Sequence, residues 1–174
     1  MPACAKVESL FVQGNEYLKA EQYAQAAASF RQAILLAPDI AELHANLGLA
    51  LEHLQQPAEA ETCYRHALTL DAGLSEVHRN LGVLLASQKR FAEAEQAYQQ
   101  ALALNPDSAV TWSNLGVLHA CQRQEQLAEN CYQRALNIDP AYRLARFNLS
   151  YLQLRQGRFE EGWASLEARD GYRQ

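Results

Sequence analysis

The chain has 174 residues, of which 49% are hydrophobic and 20% are charged, so it is long enough to bury a sizeable core and too apolar to be disordered. Its 15 basic and 20 acidic residues give a net charge of −5, which argues against a nucleic-acid partner because phosphate binding needs clustered cations. No stretch approaches about 18 consecutive apolar residues, so membrane insertion is not expected.

The amino-terminal segment lacks the features of a secretory signal, since it has no continuous apolar core and no basic run before one. The cysteines, which are Cys4, Cys63, Cys121 and Cys131, show no short paired spacing. We therefore expect reduced thiols and a cytoplasmic protein. Residues 1–6 are expected to form a short amino-terminal lead.

A 34-residue period begins at Val7 and accounts for the rest of the chain. It divides the chain into five repeats, at residues 7–40, 41–74, 75–108, 109–142 and 143–174, the last of which is degenerate; positions are numbered from the first residue of each repeat. In the first four repeats position 8 is glycine, position 20 is alanine and position 24 is Phe or Tyr, and position 32 is proline in three of them. We predict one domain of five repeats.

Each repeat predicts two amphipathic helices. In the third repeat the first helix places His78, Leu81, Gly82 and Leu85 on one face, and the second helix places Ala94, Tyr98, Ala101, Leu102 and Leu104 on one face. Glycine costs roughly 1 kcal/mol inside a helix, so we expect position 8 to allow a close approach to the small residue at position 20. The proline at position 32 ends the second helix. The fold class is therefore expected to be all-α.

The small residues at positions 8, 20 and 27, with an aromatic residue at 24 and proline at 32, resemble the tetratricopeptide repeat (TPR) over about residues 7–168. The resemblance implies a right-handed α-solenoid of tandem helix–turn–helix repeats. Position 4, a tryptophan in that family, is Trp112 in the fourth repeat but Leu10, His44, His78 and Arg146 in the others. The fifth repeat also has Arg146, Gln153 and Arg169 where core residues belong, so it either caps the array with a polar face or docks onto something outside this chain.

Asparagine recurs at position 6, which the core face of the first helix turns away from, in four of the five repeats. In the TPR family the first helices line a concave groove, and a carboxamide can both donate to and accept from the backbone of an extended peptide. This arrangement is similar to the asparagine ladder in the repeat arm of O-linked N-acetylglucosamine transferases. The predicted peptide-binding residues are Asn15, Asn46, Leu49, Arg79, Asn80, Val83, Asn114, Val117, Asn148 and Tyr151. In the alternative interpretation, each asparagine bonds the helix of the neighbouring repeat.

Position 6 shares one stripe of the first helix with positions 2, 9 and 13, at helical spacing, and position 5 lies beside it. Position 2 of this stripe changes in character along the chain, from Glu8, Glu42 and Glu76 to Val110 and Leu144. The groove is therefore expected to begin acidic and end apolar. A ligand with basic residues at one end and apolar or aromatic residues at the other would fit, although a solvated acidic rim is the alternative.

No sequence motif for catalysis is present: the chain has no phosphate-binding glycine loop, no zinc-protease motif and no nucleophile elbow. Cys63 and His66 have the spacing of half a zinc site, but no second Cys/His pair lies nearby. His44 and His78 stand where Trp112 stands and are interpreted as packing residues. We therefore expect no catalytic residue, no metal, no cofactor and no enzyme activity.

Three functions remain open. The first is a protein–protein interaction scaffold that holds an extended peptide of a partner protein. In the second, the chain is the substrate-targeting arm of a larger glycosyltransferase-type enzyme, because Gly157, Phe159, Gly162, Trp163, Glu167 and Arg169 resemble the final repeat of bacterial arrays that precede such a domain. The third is self-assembly through the repeat ends, because residues 1–142 hold 9 basic and 16 acidic side chains whereas residues 143–174 hold 6 and 4.

Overall fold

The computed structural model describes residues 2–167, and its side chains from residue 4 to residue 166. This part of the chain contains ten helices and no strand, which confirms the all-α prediction. The helices are α1 (Pro2–Lys19), α2 (Tyr23–Leu36), α3 (Ala41–His53), α4 (Pro57–Leu70), α5 (Ser75–Ser87), α6 (Phe91–Leu104), α7 (Ala109–Cys121), α8 (Glu125–Ile138), α9 (Arg143–Arg155) and α10 (Phe159–Glu167). Odd-numbered helices are the first helices of the predicted repeats, and residues 2–6 of the predicted lead are part of α1.

The helices form two compact units, with the boundary between Gln88 and Lys89. The first unit holds α1 to α5 and the second holds α6 to α10. Within each unit consecutive helices pack against each other, and the first helices of neighbouring repeats also touch, α1 with α3, α3 with α5, and α7 with α9. The single five-repeat domain remains a prediction.

The core of the first, second and fourth hairpins is built around the aromatic ring at position 24. Phe30 and Tyr64 are completely buried, and Tyr132 is nearly so. A Cβ built on Gly14 would lie 2.5 Å from the Phe30 ring, and one built on Gly116 would lie 2.5 Å from the Tyr132 ring. The prediction that position 8 packs closely is thus correct. Its nearest contact is the ring at position 24, and in the second repeat the position-20 alanine is also close, since Ala60 O would lie 3.3 Å from a Cβ on Gly48.

A left-handed residue at position 15 ends every first helix. Positive φ angles of 58–61° occur at Glu21, Gln55, Lys89 and Arg123, and Gly157 has a φ of 79°. Around Arg123 the chain forms a Schellman motif, because Arg123 N–H donates to Ala120 O and the next N–H donates to His119 O, at 3.1 and 2.9 Å. The motif satisfies the last carbonyls of the first helix and turns the chain into the second.

Exchanging the residues at position 15 should have opposite effects in two repeats. Gly157→Ala should destabilise the protein by about 1–2 kcal/mol, because alanine is strained at positive φ and no atom within 4 Å of its Cβ would compensate. Arg123→Gly should relieve that strain and be neutral or stabilising, since the added flexibility of glycine in the unfolded chain offsets part of the gain. Urea denaturation of both variants measures the difference, and equal destabilisation would contradict the assigned turn geometry.

In four of the five repeats the side chain at position 4 donates a hydrogen bond to a backbone carbonyl. The ring nitrogen of His44 lies 2.7 Å from Pro38 O, that of His78 lies 3.2 Å from Ala72 O, and Trp112 donates to Pro106 O at 2.9 Å. Arg146 likewise donates to Pro140 O. Each side chain reaches the carbonyl six residues earlier, at the end of the preceding repeat. These four repeats thus have an N–H donor at position 4, although only one of them has tryptophan there. The hydrogen bonds of His44 and His78 are consistent with their interpretation as packing residues.

The fifth repeat accommodates polar residues at core positions by bonding them. Gln153 is buried and its carboxamide oxygen accepts from the Ser165 hydroxyl at 3.1 Å. Arg169 lies outside the described residues. Toward the fourth repeat, Arg155 donates to Glu125 at 2.6 Å and Arg158 donates to the buried Glu129 at 2.8 Å. The junction of these two repeats is therefore partly ionic.

This ionic junction should weaken in acid. The hydrogen bonds from Gln156 and Arg155 hold the pKa of Glu125 below the ordinary value of 4.5. A carboxyl group with a lowered pKa stabilises the folded state above its ordinary value, and that contribution is lost as the pH falls through the lowered one. Amide-exchange protection of α9 should therefore fall more steeply than that of α7 between about pH 5 and pH 3. In Glu125→Gln the extra pH dependence of α9 should be reduced, and an unchanged profile would show that this group does not hold the junction.

Candidate functional site

In the first unit two of the predicted peptide-binding carboxamides bond each other. The Asn46 side chain on α3 donates to the Asn15 side-chain oxygen on α1, at 2.9 Å and partly buried. Asn15 occupies position 9, and position 9 of the later repeats is Leu49, Val83, Val117 and Tyr151, none of which offers a carboxamide oxygen. The alternative interpretation, a bond to the neighbouring repeat, therefore describes Asn46.

The side chain of Asn80 is hydrogen-bonded to that of the preceding residue. Its side-chain oxygen accepts from the Arg79 guanidinium at 3.2 Å, and both side chains are half-buried. The side-chain amide donors of Asn80 remain available. Around it, Val83 is 37% exposed, and Leu49 is half-buried.

In the second unit the asparagines at position 6 differ from Asn46 and Asn80 in their hydrogen bonding. Asn114 on α7 and Asn148 on α9 are half-buried, and neither carboxamide has a hydrogen-bond partner among residues 2–167. The two helices touch, so the two carboxamides lie on adjacent helices. A half-buried amide that is not bonded within the protein has donors and an acceptor to offer a ligand.

Exposed apolar side chains surround these two asparagines in their helices. Val117 is 41% exposed and Tyr151 is 62% exposed, and the same stripe exposes Val110, Leu144 and Phe147. The opposite faces of the two helices are buried in the core, with Leu115 and Leu118 on α7 and Leu149 and Leu152 on α9. Clustered exposed apolar residues of this kind mark interaction surfaces. We call Val110, Asn114, Val117, Leu144, Phe147, Asn148 and Tyr151 the α7–α9 face.

The corresponding stripe of the first unit is acidic. Glu8, Glu42 and Glu76 are exposed at position 2 of α1, α3 and α5. A shallow concavity along α1 is lined by Ala5, Glu8, Ser9, Val12, Gln13 and Glu16. The predicted change from acidic to apolar character is thus present in the exposed residues of the two units.

The predicted site residues divide between the units. Asn15, Asn46, Leu49, Arg79, Asn80 and Val83 lie on first helices of the first unit, and Asn114, Val117, Asn148 and Tyr151 lie on first helices of the second. A single ladder through both units remains a prediction. The predicted set omits Val110, Leu144 and Phe147, although positions 2 and 5 of the repeat mark them as members of the same stripe.

The metal-ligating side chains and thiols of the described residues bear on metal binding and catalysis. No group of three or more His, Cys, Asp or Glu side chains among them could hold a metal ion. Burial raises the pKa of Cys131 to about 11 and also raises that of Cys63, so both are protonated thiols at neutral pH. No helix in this part of the chain combines the length and apolar character needed to cross a membrane.

Comparison with known proteins agrees with the repeat architecture. A tetratricopeptide repeat family model matches residues 39–107 and 74–141, and a second TPR model matches residues 14–55. None of the curated proteins matches the chain.

Several solved structures share the fold. PilF of Pseudomonas aeruginosa is 22% identical, with a TM-score of 0.87 over 96% of this chain and 76% of PilF. MamA of Desulfovibrio magneticus RS-1 is 17% identical, with a TM-score of 0.82 over 94% of this chain and 92% of MamA. YrrB, a TPR protein with an unusual peptide-binding site, is 26% identical, with a TM-score of 0.70 over 80% of this chain and 72% of YrrB. With its family matches spanning more than half of its length, and its helices paired as the 34-residue period predicts, the chain belongs to the tetratricopeptide repeat family.

Proposed function

We propose that this protein is a non-catalytic scaffold that binds an extended peptide of a partner protein on the α7–α9 face. The observation that carries the proposal is the pair Asn114 and Asn148, which are half-buried without a hydrogen-bond partner among the described residues. TPR proteins mediate protein–protein interactions, and the similarity to YrrB, a peptide-binding TPR protein, supports this role. The free thiols of all four cysteines fit a cytoplasmic location.

The two kinds of residue on this face have separate roles in the proposal. Asn114 and Asn148 bond backbone N–H and C=O groups, which every peptide sequence provides. Phe147 and Tyr151, at 53% and 62% exposed, bury apolar side chains of the peptide and so select its sequence. Asn46 has a lesser role because it already donates one of its two amide hydrogens to Asn15.

The acidic stripe of the first unit suggests a charge preference. Exposed Glu8, Glu42 and Glu76 would favour basic residues in a ligand that binds the first unit. An array attached to a glycosyltransferase-type domain would use the same face to hold its protein substrate.

Selection from a random dodecapeptide library tests the proposal. Selected peptides should be rich in large apolar residues and should bind the protein in isothermal titration calorimetry. Phe147→Ser with Tyr151→Ser should weaken that binding at least about tenfold, because buried aromatic anchors dominate such interfaces.

Leu35→Ser is the matched control, since Leu35 is 84% exposed on α2, which is not part of the α7–α9 face. It should leave binding unchanged. Peptides that bind the double variant as tightly as the unmodified protein would place the binding site elsewhere.

A further inference from the structure

At the first and fourth junctions, a repeat contacts the next one through position 17 of its second helix, and at the fourth junction also through position 21. In the first repeat Tyr23, at position 17, stacks on His53 of the second repeat, with ring centroids 4.2 Å apart and planes within 2°. In the fourth repeat Glu125, at position 17, accepts from Arg155 of the fifth at 2.6 Å. Glu129, at position 21, accepts from Arg158 of the fifth at 2.8 Å. These two positions are thus the contact points for a following repeat.

The same two positions of the fifth repeat are large aromatic residues that are exposed. Phe159, at position 17, is 60% exposed, and Trp163, at position 21, is 56% exposed. They are four residues apart on α10 and therefore share one face of the helix. We call Phe159 and Trp163 the end face. The fourth repeat uses these same two positions to bind the fifth repeat.

The residues that dock at the earlier junctions define what would fit the end face. The first helix of a following repeat buries positions 3, 7 and 10, as Leu43, Leu47 and Ala50 do in α3. At the junction of the fourth and fifth repeats, Leu149 and Leu152 pack on Ala128 and Tyr132, at positions 20 and 24. In the fifth repeat these two positions are Gly162 and Leu166, on α10 beside the end face. The fitting element is therefore an amphipathic helix with apolar residues at i, i+4 and i+7.

The amino-terminal end of a second copy does not have this character. Positions 3, 7 and 10 of α1 are Ser9, Gln13 and Glu16, and all three are exposed. Docking α1 of another copy beside the end face would press a carboxylate and two polar side chains against Gly162 and Leu166, the fifth repeat's positions 20 and 24, which is unfavourable. The first repeat is polar at its outer end, whereas the last repeat is aromatic there.

We propose that the end face binds an amphipathic helix of a partner protein, which adds one further layer to the array. The helix carries apolar residues at i, i+4 and i+7 and a planar side chain that stacks on Phe159, as His53 stacks on Tyr23. The site continues the junction that already joins the repeats of this chain. It lies on α10 and is distinct from the α7–α9 face.

Fluorescence of Trp163 gives a direct test. Trp112 is the other tryptophan of the chain, and Trp112→His removes its signal while keeping the position-4 donor that His44 and His78 supply. The probe is a synthetic peptide of residues 40–54, bridged by a covalent staple between positions 42 and 46 so that its helix is preformed. Its addition should shift Trp163 emission saturably to shorter wavelength, because docking removes water from the indole.

Two matched controls separate the site from a non-specific effect. The same peptide with Leu43→Ser and Leu47→Ser should produce no shift. In the protein, Phe159→Ser should weaken binding at least about tenfold, whereas Leu127→Ser, at a 48% exposed position of α8, should not.

Two results would overturn the proposal. One is an unchanged Trp163 spectrum at millimolar stapled peptide. The other is a shift that appears with rising protein concentration alone and that accompanies dimerisation in sedimentation velocity, because the occupant would then be a second copy.

Discussion

Phe30→Ala should destabilise the protein by about 3–5 kcal/mol, the largest effect expected of a single substitution here. Phe30 is completely buried, its ring lies edge-on to Phe11 with centroids 6.3 Å apart, and it fills the space beside Gly14. Urea denaturation followed by circular dichroism measures the loss.

Leu35→Ala on the same helix is the control for this substitution. Leu35 is 84% exposed, so its truncation should change the free energy of unfolding by less than about 0.5 kcal/mol. A comparable loss at both positions would mean that the hairpin of α1 and α2 does not close over Phe30 as described.

Gly116→Ser should destabilise the protein by about 1–3 kcal/mol, because it overpacks the hairpin of α7 and α8. The new Cβ would lie 2.5 Å from one Tyr132 ring atom and 2.7 Å from another. Tyr132 is buried, so its ring cannot swing into solvent. Serine has the better helix propensity by a few tenths of a kcal/mol, which offsets only part of this cost.

The fifth repeat suggests how the clash can be relieved. It has Ser150 at the glycine position and Leu166 at the position of the ring, and Ser150 is fully buried there with its hydroxyl bonded to Phe147 O at 2.9 Å. In a double-mutant cycle, Gly116→Ser with Tyr132→Leu should therefore cost at least 0.5 kcal/mol less than the sum of the two single changes, the lower end of coupling energies between contacting residues. Strict additivity would show that the two residues do not contact each other.

The regular part of the fold follows from the repeat pattern. Glycine at position 8, the aromatic residue at 24 and proline at 32 predict the helix pairs and their boundaries, because each residue type has a local physical effect that does not depend on distant contacts. The partner of the glycine was harder to predict. Ala60 and Tyr64 lie on one face of the same helix, and only the packed geometry shows that the ring lies nearer to Gly48.

The left-handed turn at position 15 could not be predicted from residue type. Glycine is the usual signal of positive φ, but this array has Glu21, Gln55, Lys89 and Arg123 there and glycine only at Gly157. The hydrogen bonds of the Schellman motif determine the conformation in these turns, and their pattern appears only once the helices are placed.

The sequence predicts only part of the candidate site, for a similar reason. Position 6 marks Asn46, Asn114 and Asn148 as equivalent, yet the structure separates them, because only Asn46 has a carboxamide oxygen, that of Asn15, across the repeat junction. The repeat pattern indicates which residues share a face. It does not indicate which of their hydrogen-bonding groups are already used within the protein.

The most direct measurement of the proposed function is the affinity of a selected dodecapeptide for Asn114→Ala with Asn148→Ala. Each lost hydrogen bond is worth about 0.5–1.5 kcal/mol, so the double variant should bind roughly 5- to 150-fold more weakly, with a melting temperature close to that of the unmodified protein. Asn46→Ala is the internal control and should show the opposite pattern, with a lower melting temperature and nearly unchanged affinity, because its bond to Asn15 lies within the protein. Unchanged affinity in the double variant, together with a lower melting temperature, would contradict the account and assign Asn114 and Asn148 to folding.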